Sequence, residues 1–213
     1  MGRRALRRPD ASLDLSQYFL SEDDLPRPWN PATLFGREAP IEVEIGSGKG
    51  LFLRRAAEAH PEIDFLGIEV RYKYAEFAAA GLAKRDLTNG RMVHGDGLAI
   101  FHDLIHDDSL DAVHVYFPDP WWKKRHRKRR VLNESFLRDV QRTLKPGGLL
   151  HFWTDVKEYF DTSLELLAEV TDLEGPFDVV ESEAEDDMDY RTHFERRTRK
   201  NEEPVYRAQF RKK

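Results

Sequence analysis

The chain has 213 residues, enough for one α/β domain with a sizeable core, and 40% hydrophobic with 34% charged residues describes a soluble globular polypeptide. No stretch approaches the roughly 20 apolar residues of a membrane span. The absence of cysteine excludes a disulfide framework and a thiolate zinc site, and favours a cytoplasmic chain.

Residues 1–38 carry Pro9, Pro26, Pro28 and Pro31 without periodicity. They read as an N-terminal extension, partly disordered, ahead of a single domain over 39–213. Its first eight residues include Arg3, Arg4, Arg7 and Arg8 and lack the apolar core of a secretory signal. They make either a solvated tail or a basic arm that touches RNA. The apolar patterning predicts strands at 41–45, 64–70, 91–94, 111–117 and 149–154. Helices are expected between them, at about 51–59, 71–85, 98–104, 134–144 and 156–170. Lys145-Pro146-Gly147-Gly148 combines a helix stop with a turn. Two late strands, 177–181 and 205–211, flank an acidic loop at 181–189 and the segment 190–200. Repeated β-then-α units predict a doubly wound, mostly parallel α/β sheet covered on both faces.

Two motifs sit where strands of such a sheet end, the edge at which open α/β sheets bind ligands. Gly46-Ser47-Gly48-Lys49-Gly50 follows the first strand and opens a helix. Glycines allow a tight turn and close backbone approach, and a helix start offers free N–H groups. The spacing is G-x-G-x-G, not the G-x-G-x-x-G of dinucleotide enzymes, which disfavours an NAD-dependent oxidoreductase. Glu69 ends the second strand, where an acid can bind both hydroxyls of a ribose. Asp96, in Gly95-Asp96-Gly97, ends the third and can meet an adenine amino group.

The fourth strand runs into Phe117-Pro118-Asp119-Pro120-Trp121-Trp122. The two prolines fix their own φ, and Pro120 holds Asp119 in extended geometry, which suits a preorganised acid. The two tryptophans divide between stacking a base and anchoring the loop. Lys123-Lys124-Arg125-His126-Arg127-Lys128-Arg129-Arg130 follows at once, seven cations in eight residues. With these set aside from the net charge of −5, the rest of the chain carries −12. A dense cationic run on an acidic body suits a nucleic-acid backbone; a solvated face is the alternative. Thr154-Asp155 ends the fifth strand, and Thr192-His193-Phe194-Glu195 lies late in the chain. From spacing alone these are polar groups near element ends. The eight histidines show no H-E-x-x-H or similar spacing, so no metal is expected.

Together these residues resemble the bacterial single-subunit tRNA (guanine-N7-)-methyltransferase family. The matching pieces are Glu44 to Gly50, Gly67 to Val70, Tyr116 to Trp121 with Lys123, Arg125 to Arg130, Thr154-Asp155 and Thr192 to Glu195. They span residue 41 to the C-terminus. The resemblance implies a Rossmann-like, class I methyltransferase sheet with an antiparallel last strand. It also implies that S-adenosyl-L-methionine methylates N7 of a guanosine in the tRNA variable loop. Glu44, Gly46, Gly48, Gly50, Glu69, Asp96 and Asp119 fall on the cofactor side by motif position. Lys123, Asp155, Thr192, His193, Phe194 and Glu195 fall on the substrate side. Asp119 is the position the motif marks as catalytic, and Arg125 to Arg130 would meet RNA. The division of labour among Asp119, Asp155 and Glu195 stays open, as does oligomeric state. Two other readings are an amino-group methyltransferase acting on adenine or glutamine, and a non-catalytic RNA-binding protein on the same fold.

Overall fold

The computed structural model describes residue 6, residues 8–179 and residues 192–213, without the side chains of Lys124, Arg127, Lys128, His193 and Arg197. In chain order its elements are β1 (Phe19–Ser21), α1 (Pro31–Phe35), β2 (Ile41–Ile45), α2 (Leu51–Ala59), β3 (Asp64–Glu69), α3 (Tyr72–Ala83), β4 (Gly90–His94) and α4 (Gly97–Asp103). There follow β5 (Leu110–Tyr116), a 3₁₀ helix (Lys124–Arg129), α5 (Glu134–Thr143), β6 (Leu144–Thr154), α6 (Lys157–Val170), β7 (Glu174–Phe177), α7 (His193–Lys200) and β8 (Tyr206–Arg211).

The strands form one sheet in the order β1-β4-β3-β2-β5-β6-β8-β7. Every pairing from β1 to β6 is parallel, and β8 runs antiparallel to both its neighbours. The expected doubly wound sheet with an antiparallel last strand is therefore present. The central strands have side chains buried on both faces, so they read as near-continuous apolar runs. One face packs Val43, Ile45, Val113, Val115, Leu150 and Phe152 against the helices that follow β4, β5 and β6. The other packs Phe52, Leu53, Phe65 and Met92 with the alanines of α3. Ala75, Ala78 and Ala79 are fully enclosed, and small side chains there let α3 lie close to the sheet.

Three sequence expectations shift. The helix stops ahead of residues 145–148 as expected, at Thr143, but those residues do not form a turn. They bulge out of β6, where pairing jumps from Leu110–Leu144 to Ala112–Leu149 and Gly147 takes φ +82°. The Gly147 N–H and the Gly148 carbonyl instead meet Lys212 at the end of β8, which accounts for strand rather than turn. The strand expected at 177–181 lies earlier, at Glu174–Phe177. Pro176 is accommodated because β7 is an edge strand, where a missing N–H costs no ladder bond. The acidic loop 181–189 and residues 180 and 190–191 lie outside the described residues. In the N-terminal extension, Phe19–Ser21 pair with Met92–His94 as the sheet's first edge, and Leu25 and Trp29 join the core. No helix among the described residues is long and apolar enough to cross a membrane.

Candidate active site

Strand order reverses between β2 and β5. The chain steps outward from β2 through β3 to β4, then returns beside β2 and continues to β6. The reversal opens a crevice at the carboxyl ends of β2 and β5, the position at which such sheets bind ligands. The glycine loop leaves one of these strands and the proline-flanked acid leaves the other.

Gly46, Gly48 and Gly50 all take left-handed backbone, at φ +74°, +55° and +66°. Gly50 is constrained twice over, because a Cβ there would lie 2.6 Å from the Cβ of Ala78 on α3. The loop is tied to β3 by Gly46 and Ser47 N–H groups donating to the Ile68 carbonyl. Glu69 completes the tie. Its carboxylate is buried and accepts from the Gly48 N–H at 2.9 Å and the Arg71 N–H at 2.8 Å. Glu69 thus holds the loop in shape rather than lying on the surface. Each of its oxygens keeps a second lone pair for a hydroxyl donor.

Glu44, one residue before the end of β2, is 4% exposed, and its Oε2 has no hydrogen-bond partner in the protein. Burial pushes its carboxyl up to about 8, with the Glu69 charge adding and the Ser47 hydroxyl opposing. Asp96 is exposed and caps α4, accepting from the Leu98 N–H at 3.0 Å.

Asp119 projects into solvent between two strained residues. Phe117 and Trp121, neither a glycine, take φ of +49° and +46°. Left-handed backbone at bulky side chains costs on the order of 1–3 kcal/mol each and persists where its surroundings over-determine it. The surroundings are visible. The Phe117 N–H donates to the Trp153 carbonyl, and the Phe117 ring stacks on Phe194 at 6.1 Å. The Arg129 guanidinium lies 5.1 Å over the Trp121 ring, and His126 meets that ring edge-on. Arg130 donates from Nε to the Pro120 carbonyl at 2.8 Å, and its guanidinium lies 4.5 Å over the Tyr159 ring.

Arg130 is therefore not the phosphate-facing cation that the charge run suggested. It is 8% exposed, and it clamps the Asp119 turn to α6. Burial, with the nearby Asp119 charge adding to it, pushes the Tyr159 hydroxyl up to about 12 against the opposing effects of the Leu132 N–H and Arg130. Lys123 and Arg125 are exposed and His126 is half-buried. The side chains of Arg127, Lys128 and His193 lie outside the described residues.

The segment Thr192 to Glu195 begins α7 and comes to the same edge through the Phe117–Phe194 stack. Thr192 caps the helix by accepting the Glu195 N–H at 3.0 Å. Glu195 turns inward: it is 3% exposed and accepts from Arg207 at 3.2 Å and Arg199 at 3.5 Å. Arg207 in turn lies 4.9 Å over the Trp153 ring. Glu195 thus fastens α7 to β8. Asp155, after β6, is half-buried at the open edge. Tyr159 and Arg207 carried no sequence signal, since each acts through partners distant in the chain.

A family model described as "Putative methyltransferase" matches residues 38–208. A tRNA (guanine-N(7)-)-methyltransferase of Rhodopirellula baltica is 49% identical over 219 residues, an alignment spanning 100% of this chain and 81% of that protein. The chain belongs to the tRNA (guanine-N7-)-methyltransferase family. Within that family, a relative from Nitrosococcus oceani is 37% identical, with 87% of this chain meeting 77% of that one. One from Dechloromonas aromatica is 42% identical over 67% of this chain and 58% of its own length, so the chain spans less than two thirds of that relative. Solved structures agree on the fold. An aminoglycoside resistance methyltransferase superposes with a TM-score of 0.53 at 17% identity, covering 82% of this chain and 87% of that one. A SAM-dependent O-methyltransferase from Thermotoga maritima gives 0.53 at 18%, covering 85% and 63%. The sheet of this family member is thus the Rossmann-like methyltransferase sheet that its motifs implied.

Proposed function

We propose that the chain transfers the methyl group of S-adenosyl-L-methionine to N7 of a guanosine in the variable loop of tRNA, with Asp119 as the catalytic acid residue. The observation that carries this reading is the strained Pro118-Asp119-Pro120 turn, which sets an exposed carboxylate at the β5 edge of the crevice beside a cationic helix.

The methyl donor fits the residues across the crevice. Glu69 retains lone pairs for ribose hydroxyls, the space beside Gly46 where a Cβ would stand is open, which leaves the loop backbone approachable, and the unpartnered Glu44 Oε2 awaits a polar neighbour. Gly46, Gly48, Gly50, Glu44, Glu69 and Asp96 would hold it, with Asp119 at the boundary to substrate. When bound, S-adenosyl-L-methionine supplies an electrophilic methyl on a sulfonium.

The chain's own work is positioning and electrostatics. Guanine N7 has an in-plane lone pair and no proton, so no general base is needed. The purine gains positive charge as its N7–carbon bond forms, and a fixed carboxylate offsets that charge. Asp119 is held for this between the strained Phe117 and Trp121 and by Arg130 on the adjoining carbonyl. Asp155 is the remaining acid at this edge and suits the N1–H and N2–H side of the base; Glu195 is already engaged by Arg207. Lys123, Arg125 and Arg129 present exposed cations to the phosphate backbone.

Incubation with an unmodified tRNA transcript and labelled methyl donor, followed by nucleoside analysis, tests the reading. The expected product is 7-methylguanosine in the variable loop. Label recovered in a methylated adenine, or no label transferred by an enzyme that binds the donor, would overturn it.

A further inference from the structure

The two tryptophans of the Asp119 turn are adjacent in sequence and differ in what surrounds them. Trp121 is half-buried, with the Arg129 guanidinium over its face and His126 at its edge. Trp122 is 63% exposed, and no ring or cation contact to it is present among the described residues. A single exposed aromatic needs no explanation by itself. Trp122, however, lines an open cleft of about 370 Å³ together with Asp119, Pro120, Trp121, Lys123 and His126. Its neighbours Lys123 and Arg125 are exposed cations. An open aromatic face beside phosphate-ready cations is how proteins hold an unpaired strand: the cations track the backbone while a base stacks on the ring.

We infer that Trp122 is the stacking platform for a nucleobase of the tRNA, and that this base flanks the target guanine instead of being the target. The inference rests on the tRNA reading above. The target base must reach both Asp119 and the methyl donor. Of the residues fitted to the donor, the cleft contains Asp119 alone; the glycine loop, Glu44, Glu69 and Asp96 contribute nothing to its walls. A base in the cleft therefore lies beside the acid without touching the glycine loop. That position suits the nucleotide before or after the methylated one. A guanosine drawn out of its stack leaves a neighbour without a partner face, and the indole supplies one. Successive nucleotides then take neighbouring places at the Asp119 turn, and Lys123, next along the chain, meets the phosphate between them.

The test uses two unmodified tRNA transcripts carrying 2-aminopurine on either side of the methylated guanosine, with wild type, Trp122→Ala and Trp122→Phe. Stacking on an aromatic ring quenches 2-aminopurine. Wild-type enzyme should quench one of the two transcripts, and Trp122→Phe should preserve that signal. Trp122→Ala should abolish it and weaken tRNA binding by roughly 5- to 160-fold, as expected for loss of one base–aromatic stack. S-adenosylmethionine affinity and the single-turnover rate at saturating tRNA should stay at wild-type values, which also verifies folding. Quenching and affinity unchanged in Trp122→Ala, or no quenching of either transcript by wild type, would overturn the inference. So would a lost single-turnover rate with affinity intact, since that would put the ring on the target base. Failure of wild type to form 7-methylguanosine is a separate result and bears on the reaction assignment.

Discussion

Arg130→Met separates a clamp from a phosphate contact. The substitution keeps length and apolar bulk but removes the guanidinium. In the protein that group donates from Nε to the Pro120 carbonyl at 2.8 Å, reaches Thr162 Oγ1 at 3.4 Å and lies 4.5 Å over Tyr159. A hydrogen bond from a charged donor contributes roughly 1.5–3 kcal/mol. The cation–π contact adds about 1 kcal/mol at a partly desolvated site. The distance to Thr162 is too long to add much. The turn therefore loses about 3 kcal/mol of restraint, comparable to the strain stored at Phe117 and Trp121. Relaxation of that strain displaces Asp119, and a misplacement of about 1 Å can cost a factor of 100 in rate. We expect urea unfolding to show lowered stability, and single-turnover methylation at saturating tRNA and methyl donor to fall roughly 10- to 100-fold. The slope of log affinity for tRNA against log salt should not change. A variant of normal stability and normal chemical rate, whose salt slope drops by roughly 0.7 to 0.9, would refute the clamp and return Arg130 to the phosphate-binding surface.

Asp119→Asn keeps size but removes the charge; single-turnover rates should fall about 100-fold or more with tRNA affinity nearly unchanged. A wild-type rate would move the catalytic role to Asp155. Glu44→Gln should alter how stability depends on pH. The Glu44 carboxyl is raised from 4.5 to about 8, so its burial is favourable in the neutral form. That contribution is complete below about 4.5 and is lost as pH rises towards 8 and beyond, by up to about 5 kcal/mol. Glutamine mimics the neutral acid, so urea melts from pH 5 to 8.5 should decline less steeply in the variant; parallel curves would contradict the buried neutral acid. Gly50→Ala places a methyl 2.6 Å from Ala78 Cβ at φ +66°. It should cost more than 1 kcal/mol in stability and weaken S-adenosylmethionine binding by calorimetry, and wild-type values for both would show that the loop is not tightly seated.

The parts of the site that sequence revealed are those whose chemistry is local. Three glycines within five residues announce a left-handed loop, and an aspartate between prolines announces a fixed acid, whatever surrounds them. The direction of a side chain is not local. Arg129 and Arg130 are neighbours in one cationic run, yet one is exposed over Trp121 and the other is buried under Pro120. The difference comes from Tyr159 and Thr162 on α6, about 30 residues later. The inward contact of Glu195 was hidden for the same reason: its partner Arg207 lies on a separate strand, β8. β1 was invisible because three residues are too few for periodicity, and its pairing with β4 is set by contacts about 70 residues away.

The place of β8 has a consequence for how the enzyme matures. β8 is made after β6 and β7, yet it lies between them. A growing chain therefore carries an open slot in its sheet until β8 arrives, and unpaired strand edges of this kind invite aggregation. The slot also delays one half of the active site. Glu195 holds α7 through Arg207 on β8, and α7 carries the Phe194 that braces Phe117. The glycine loop needs only β2, β3 and α3. We therefore expect the methyl-donor half to assemble first during refolding, followed by the half that braces Asp119. Pulsed hydrogen exchange would show β2 and β3 amides protected before those of β8 and α7, whereas simultaneous protection would contradict this order.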